Sequence, residues 1–153
     1  MNTPALQYVK LLPDDGDIPL LLKIHRLPGI ARFLHIDPDH YFDYVTSSDG
    51  VFYFNAILED EIAGSVHLEL AGNTLYLSLL VIPEYQNRGI ASQILNDVKS
   101  GLLIREFEEI RVSVERSNFP SLRLFEKAGF VLSGEEEELL DYVYRKSNQE
   151  VSR

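Results

Sequence analysis

Three alternating runs in quick succession constrain this chain more than anything else in it. Apolar and polar residues trade places with a period of two through Val51–Leu58, Ile62–Leu70 and Thr74–Ile82. Their connections, Glu59-Asp60-Glu61 and Ala71-Gly72-Asn73, are long enough for hairpins and too short for crossovers. An antiparallel meander is predicted. The period then changes: Arg88–Lys99 carries Ile90, Ala91, Ile94, Leu95 and Val98 at helical spacing. Ile110–Val114 reads as a strand, Pro120–Ala128 as a helix closed by Gly129, and Phe130–Ser133 with Leu139–Arg145 as a last pair of strands.

Upstream of the meander, Ala5–Leu12 reads as a first strand that Pro13-Asp14-Asp15-Gly16 ends. Asp17 is expected to cap a helix with Pro19 in its first turn, running through Leu20, Leu21, Ile24 and Leu27 to Pro28-Gly29. A further turn or helix follows through Ile30–Leu34, and Asp37-Pro38 opens another through Tyr41, Phe42 and Val45. The fold class is α/β (α+β): a mixed, mostly antiparallel sheet of about seven strands with helices on both faces. One domain is expected over 1–153, with substrate-side helices at 17–46, a central core at 51–130 and a C-terminal hairpin at 130–146.

Composition narrows the function. Fourteen Lys and Arg against 24 Asp and Glu give a net charge of −10, which argues against a nucleic-acid partner and tolerates a cationic substrate. The chain has no cysteine, so disulfides, thiolate metal sites and a covalent acyl-cysteine are excluded. The remaining histidines outside the meander, His25, His35 and His40, have no metal-ligand spacing, and no metal is assigned. No signal-peptide pattern opens the sequence, and apolar runs such as Leu75–Ile82 fall far short of the ~20 residues that span a bilayer, so a soluble cytoplasmic protein without a membrane partner is expected.

The chemistry concentrates where the third alternating run ends. From Leu77 to Ala91 an apolar strand stops at Pro83 and a helix opens on Gly89. A helix start leaves its first amides unpaired and carries about half a positive charge, so backbone alone can bind an anion there. Gly89 lacks a side chain to obstruct a diphosphate, Ala91 is small, and Arg88 adds a charge. By itself this spacing is equally that of a plain turn. Gln86, Gly89 and Ala91, however, fall on the pattern Gln/Arg-x-x-Gly-x-Gly/Ala, and Asn118-Phe119-Pro120-Ser121-Leu122-Arg123-Leu124-Phe125-Glu126-Lys127-Ala128-Gly129-Phe130 is similar to Asn-x-x-Ala-x-x-Leu-Tyr-Glu-x-x-Gly-Phe.

Together these motifs resemble those of the GCN5-related N-acetyltransferase (GNAT) superfamily, over Val51–Arg145. The resemblance implies an N-acetyltransferase that moves the acetyl group of acetyl-CoA to a primary amine by direct attack in a ternary complex. It implies that Gln86, Asn87, Arg88, Gly89, Ile90 and Ala91 hold the pyrophosphate, that Leu80 and Val81 pair with the pantetheine arm, that Asn118 approaches that arm, and that Phe125 lies near the thioester. Homodimerisation is expected on the same analogy.

Catalytic side chains are harder to find. An ammonium of pKa ~10.4 must lose its proton at pH 7, a cost of about 4.6 kcal/mol. The leaving thiol is nearer neutrality, so a base matters more than an acid. Phe125 stands where relatives often carry a tyrosine acid, and Leu75 and Ser113 stand where they often carry the base. Alternation places Ser65, His67 and Glu69 on one face and Tyr76 with Ser78 on one face, making Glu69 a candidate base and His67 another. The Val81 backbone N–H is a candidate oxyanion donor. His40, Tyr41, Phe42 and Tyr44 belong to helix packing or to an acceptor groove, and Glu135–Glu138 to an exposed turn. The missing motif acid and base leave a non-catalytic acyl-CoA sensor or interaction module as the alternative.

Overall fold

A computed structural model describes residues 5–26 and 38–146. The expectations for Leu27, Pro28-Gly29, Ile30–Leu34, His35 and Asp37 lie outside the described residues. The elements are β1 (Gln7–Lys10), α1 (Ile18–His25), α2 (Pro38–Ser47), β2 (Val51–Leu58), β3 (Glu61–Ala71), β4 (Thr74–Val81), a 3₁₀ turn (Pro83–Tyr85), α3 (Ile90–Lys99), β5 (Glu109–Glu115), α4 (Phe119–Lys127), β6 (Val131–Glu135) and β7 (Leu139–Arg145). They build one seven-stranded sheet in the order β1-β2-β3-β4-β5-β7-β6, antiparallel everywhere except between β4 and β5.

The meander forms as its pattern predicts. Glu59 and Asp60 both take positive φ (51° and 68°), the conformation of a type I′ hairpin that matches strand twist. Ala63 is a bulge: Ala56 pairs Gly64 while Ile57 pairs Ile62, so one extra residue sits in β3 and the alternation changes face there. At Gly64 the two strands come so close that an added Cβ would lie 2.6 Å from the Leu80 carbonyl oxygen.

Each face of the sheet has its own apolar cluster. On one, α3 and α4 cover Val66, Leu68, Leu75, Leu77 and Ile110. The buried residues Ile90, Ile94, Leu95 and Val98 of α3 contribute roughly 6–12 kcal/mol of apolar burial, at about 1.5–3 kcal/mol each, far above what propensity gives a ten-residue helix. On the other face α1 and α2 place Leu21, Ile24, Tyr41, Phe42 and Val45 over Tyr53, Leu80 and Ile82.

Two local expectations are corrected. Asp17 stands at the N-cap of α1 but makes no side-chain cap; the Asp15 carboxylate accepts the Asp17 N–H instead at 2.9 Å. The first strand is shorter than Ala5–Leu12: its ladder with β2 covers Gln7–Lys10, and Leu11, whose N–H donates to the Tyr53 carbonyl at 2.7 Å, ends it with its side chain in the α1–α2 cluster.

Candidate active site

The parallel pair β4–β5 opens the site. Its ladder runs only from Thr74, Leu75 and Tyr76 to Glu109, Ile110 and Arg111. Beyond Tyr76, β4 continues along β3 as far as Val81 without a recorded partner on its β5 side. Ile82 N–H donates to the Ala63 carbonyl at 2.9 Å and Val81 stands opposite Gly64. By the alternation of an antiparallel ladder, the amides and carbonyls of Leu79 and Val81 therefore point away from β3, into the opening. Leu80 shares the cleft through its side chain, but its backbone is turned toward Ser65 of β3.

The cleft holds about 630 Å³ and reaches the start of α3. There the backbone is held in an uncommon shape: Asn87 has φ 64° and Gly89 φ 80°. Left-handed residues alternating with ordinary ones turn successive N–H groups to one side, a concavity suited to an anion. Among the described residues no side chain caps α3, whose first bond runs from Gln93 N–H to Gly89 C=O at 3.0 Å, leaving the Ile90, Ala91 and Ser92 amides directed out of the helix end. A Cβ on Gly89 would meet nothing within 4 Å, so its freedom is needed for φ and the space beyond it is open. Gln86 donates its side-chain N–H to the Val81 carbonyl at 3.2 Å and ties the loop to the strand. Across the cleft Asn118 caps α4, accepting from Ser121 N–H at 3.4 Å.

The family model described as "Acetyltransferase (GNAT) family" matches residues 18–130. The chain belongs to that family. It is thus an acyl-CoA-dependent N-acyltransferase. It is similar to an N-alpha-acetyltransferase of Saccharolobus solfataricus, with 27% identity over 128 residues and 74% of each chain covered. Among solved structures it superposes on the spermidine N-acetyltransferase of Vibrio cholerae bound to CoA and spermine, with TM-score 0.76, 17% identity, and 92% and 96% of the two chains covered. It also superposes on the Campylobacter jejuni N-acetyltransferase PseH bound to acetyl coenzyme A, with TM-score 0.74, 13% identity, and 93% and 99% covered.

On the opposite face of the acetyltransferase sheet, β2, β3, α1 and α2 gather polar side chains. His25 is 3% exposed and its Nε2 lies 3.2 Å from the Tyr53 hydroxyl; burial first, then the nearby charge of His67, lowers its pKa to about 4. Ser65 donates to the Asn55 side-chain oxygen at 2.9 Å. His67 lies between Tyr41 and Glu69, 2.8 Å and 3.1 Å from its two ring nitrogens. Burial lowers the His67 pKa, and the Glu69 carboxylate opposes that shift.

Of the residues singled out in the GNAT motifs, Leu80, Val81, Gln86, Asn87, Gly89, Ile90, Ala91 and Asn118 line one cleft. Arg88 does not line it; its guanidinium sits 5.3 Å over the Tyr85 ring, whose hydroxyl donates to the Glu61 carboxylate. Phe125 is 4% exposed and packs edge-to-face on Phe130 at 5.2 Å, inside the α3–α4 cluster. Leu124, one residue earlier, is the side chain that α4 turns to the cleft. Tyr85, Ser92, Ser121 and Leu124 were not expected there. The helical spacing of Asn118, Ser121 and Leu124 is the signal that carries two of them. Ser113 donates to Asp141 at 2.6 Å, and Arg116 donates to the Glu136 and Glu137 carbonyls, pinning the exposed acidic turn.

Proposed function

We propose that this protein transfers an acetyl group from acetyl-CoA to a primary amine. One observation carries the proposal: the β4 edge at Leu79 and Val81, turned away from β3, lines the same cleft as the start of α3. An edge strand offers paired donors and acceptors to an extended amide-bearing arm, and a helix start offers amides to a diphosphate. The residues fit the coenzyme, since the conformation of Gly89 leaves its outer side open where a diphosphate would approach.

Asn87, Gly89, Ile90 and Ala91 would hold the pyrophosphate through main-chain N–H groups, with Gln86, whose own N–H donates to the Pro83 carbonyl, shaping the loop and Arg88 adding positive charge near it. Asn118 would meet the arm from α4. Acetyl-CoA supplies an activated thioester. The Val81 N–H, directed into the opening, would bear the charge that develops on the acyl oxygen. As in the family it belongs to, the amine would attack directly in a ternary complex, and the absence of cysteine excludes an acyl-cysteine intermediate. Placing the two reactants in one opening supplies much of the acceleration by proximity.

The test is thiol release from acetyl-CoA with benzylamine, p-toluidine, polyamines, amino sugars, aminoglycosides and peptides with free N-termini, paired with calorimetry of CoA binding. The polyamines and peptides follow the related acetyltransferases, the net charge of −10 favours cationic acceptors, and p-toluidine adds an amine that is neutral at pH 7. Absence of CoA binding removes the site assignment. Binding without transfer to any class removes the acetyl-transfer reading and favours a sensor.

A further inference from the structure

The acceptor face carries a hydrogen-bonded chain that the cofactor cleft does not use. The Tyr41 hydroxyl is 2.8 Å from His67 Nδ1, His67 Nε2 is 3.1 Å from Glu69 Oε1, and the same Oε1 accepts the Tyr44 O–H at 2.5 Å. A carboxylate only accepts, so Nε2 bears the ring hydrogen and Nδ1 presents its lone pair to the Tyr41 O–H. Exposure rises outward along the chain: the His67 side chain is 14% exposed and that of Glu69 34%. At the inner end is a pocket of about 10 Å³, the scale of one water, with polar groups from His25, Tyr41, Tyr53, Ser65, His67 and Ser78. Leu79 and Leu80 complete it, and both also line the cofactor cleft.

We propose that Tyr41, His67 and Glu69 form a proton relay for the acceptor amine, with His67 as the base reached from the Leu79–Leu80 end and Glu69 as the carboxylate that fixes its tautomer and stabilises the imidazolium. The inference rests on the acetyl-transfer reading above. It revises the place of Glu69: β3 runs antiparallel to β4, with Ser65 opposite Leu80 and Glu69 opposite Tyr76, so Glu69 is four residues farther from the cleft and acts through His67. Glu69 and Tyr44 are positioning residues.

The protons balance. The ammonium N–H bond breaks and a proton reaches the Tyr41 oxygen through pocket water while the hydroxyl proton of Tyr41 passes to His67 Nδ1, giving an imidazolium whose Nε2–H stays hydrogen-bonded to the Glu69 carboxylate. After transfer the Nδ1 proton returns through Tyr41 and the pocket water to solvent, which restores the starting tautomer. One proton moves from amine to solvent and no electrons change hands. The need is large, since only about one alkylamine in 2500 is neutral at pH 7. The titratable groups facing His67 are His25 from α1, Tyr41 and Tyr44 from α2, Tyr53 from β2 and Glu69 from β3. Burial keeps the ring neutral, as a base must be, and keeps His25 neutral beside it.

Two arms test the relay. The first reads ring nitrogens by long-range ¹⁵N–¹H spectra of the unliganded full chain, with His67→Gln assigning the resonances. The expected result is an Nε2–H tautomer at pH 7, an Nδ1 signal that moves in Tyr41→Phe, and a ring pKa that falls in Glu69→Gln. An Nδ1–H or charged ring at pH 7, or resonances indifferent to both variants, overturns the proposal. The second arm compares benzylamine with p-toluidine, an arylamine already neutral at pH 7. His67→Gln should lower kcat with benzylamine about 100-fold, leave p-toluidine close to wild type, and leave KM for acetyl-CoA unchanged. Equal losses on both amines, or none, overturn it. Should the wild-type protein acetylate no amine, the transfer reading falls, while the nitrogen spectra still judge the relay.

Discussion

Replacing Gly89 with alanine separates the two demands placed on that residue. Its φ of 80° and ψ of 9° cost a residue with a Cβ about 1–2 kcal/mol. No atom within 4 Å would meet the new methyl, so a steric clash adds nothing. For a chain of this size the melting temperature should fall by roughly 2–8 °C, at about 2–4 °C per kcal/mol. Affinity should suffer separately. If the loop relaxes from the left-handed conformation, the amides beyond it turn away. Each hydrogen bond lost to a charged diphosphate weakens binding by about 1.5–3 kcal/mol, or roughly 10- to 150-fold. Calorimetry with CoA and with S-acetylpantetheine, which lacks the diphosphate, reads the difference. CoA should weaken at least tenfold and S-acetylpantetheine by less than threefold. Asn87→Gly is the control, because it keeps φ 64° accessible and should leave CoA affinity within threefold. A Gly89→Ala protein that loses both ligands equally, or neither, would refute the claim that this loop reads the diphosphate.

Other outcomes follow from the same geometry. Gly64→Ala forces a Cβ to within 2.6 Å of the Leu80 carbonyl, so β3 and β4 must part; unfolding should show a loss of more than about 1 kcal/mol with CoA binding weakened in parallel. Phe125→Tyr should not raise kcat, since it sets a hydroxyl inside the Phe130 cluster rather than in the cleft; denaturant unfolding should show about 1–3 kcal/mol lost, and a gain in rate would contradict the packing. His25 is neutral when folded down to about pH 4, whereas an unfolded histidine protonates near pH 6.5. The unfolded state therefore binds more protons between those values, and stability rises with pH there, by up to about 3 kcal/mol. Above pH 6.5 both states are neutral and the effect vanishes. Unfolding curves of wild type and His25→Gln measured from pH 4 to 7 should show the slope reduced in the variant; identical slopes would show that His25 is not its source.

The sequence by itself determined the elements and the strand-loop-helix at Leu77–Ala91, because both are local. Period-two alternation, short turns and the Gln86–Ala91 spacing need no distant contacts to be read, and the meander and α3 stand where those patterns put them. What packs at long range needed the tertiary structure. Phe125 and Leu124 are neighbours in the chain, yet one enters the core and the other lines the cleft, because that choice depends on which face of α4 meets the sheet and which meets the opening. The polar chain on the α1–α2 face is of the same kind. Tyr41 and His67 lie 26 residues apart, and only the seating of α2 on β2 and β3 brings oxygen and nitrogen to 2.8 Å. The opening between β4 and β5 is invisible for a related reason. Each strand is patterned normally, and their parting beyond Tyr76 is a relation between two ladders, not a property of either sequence.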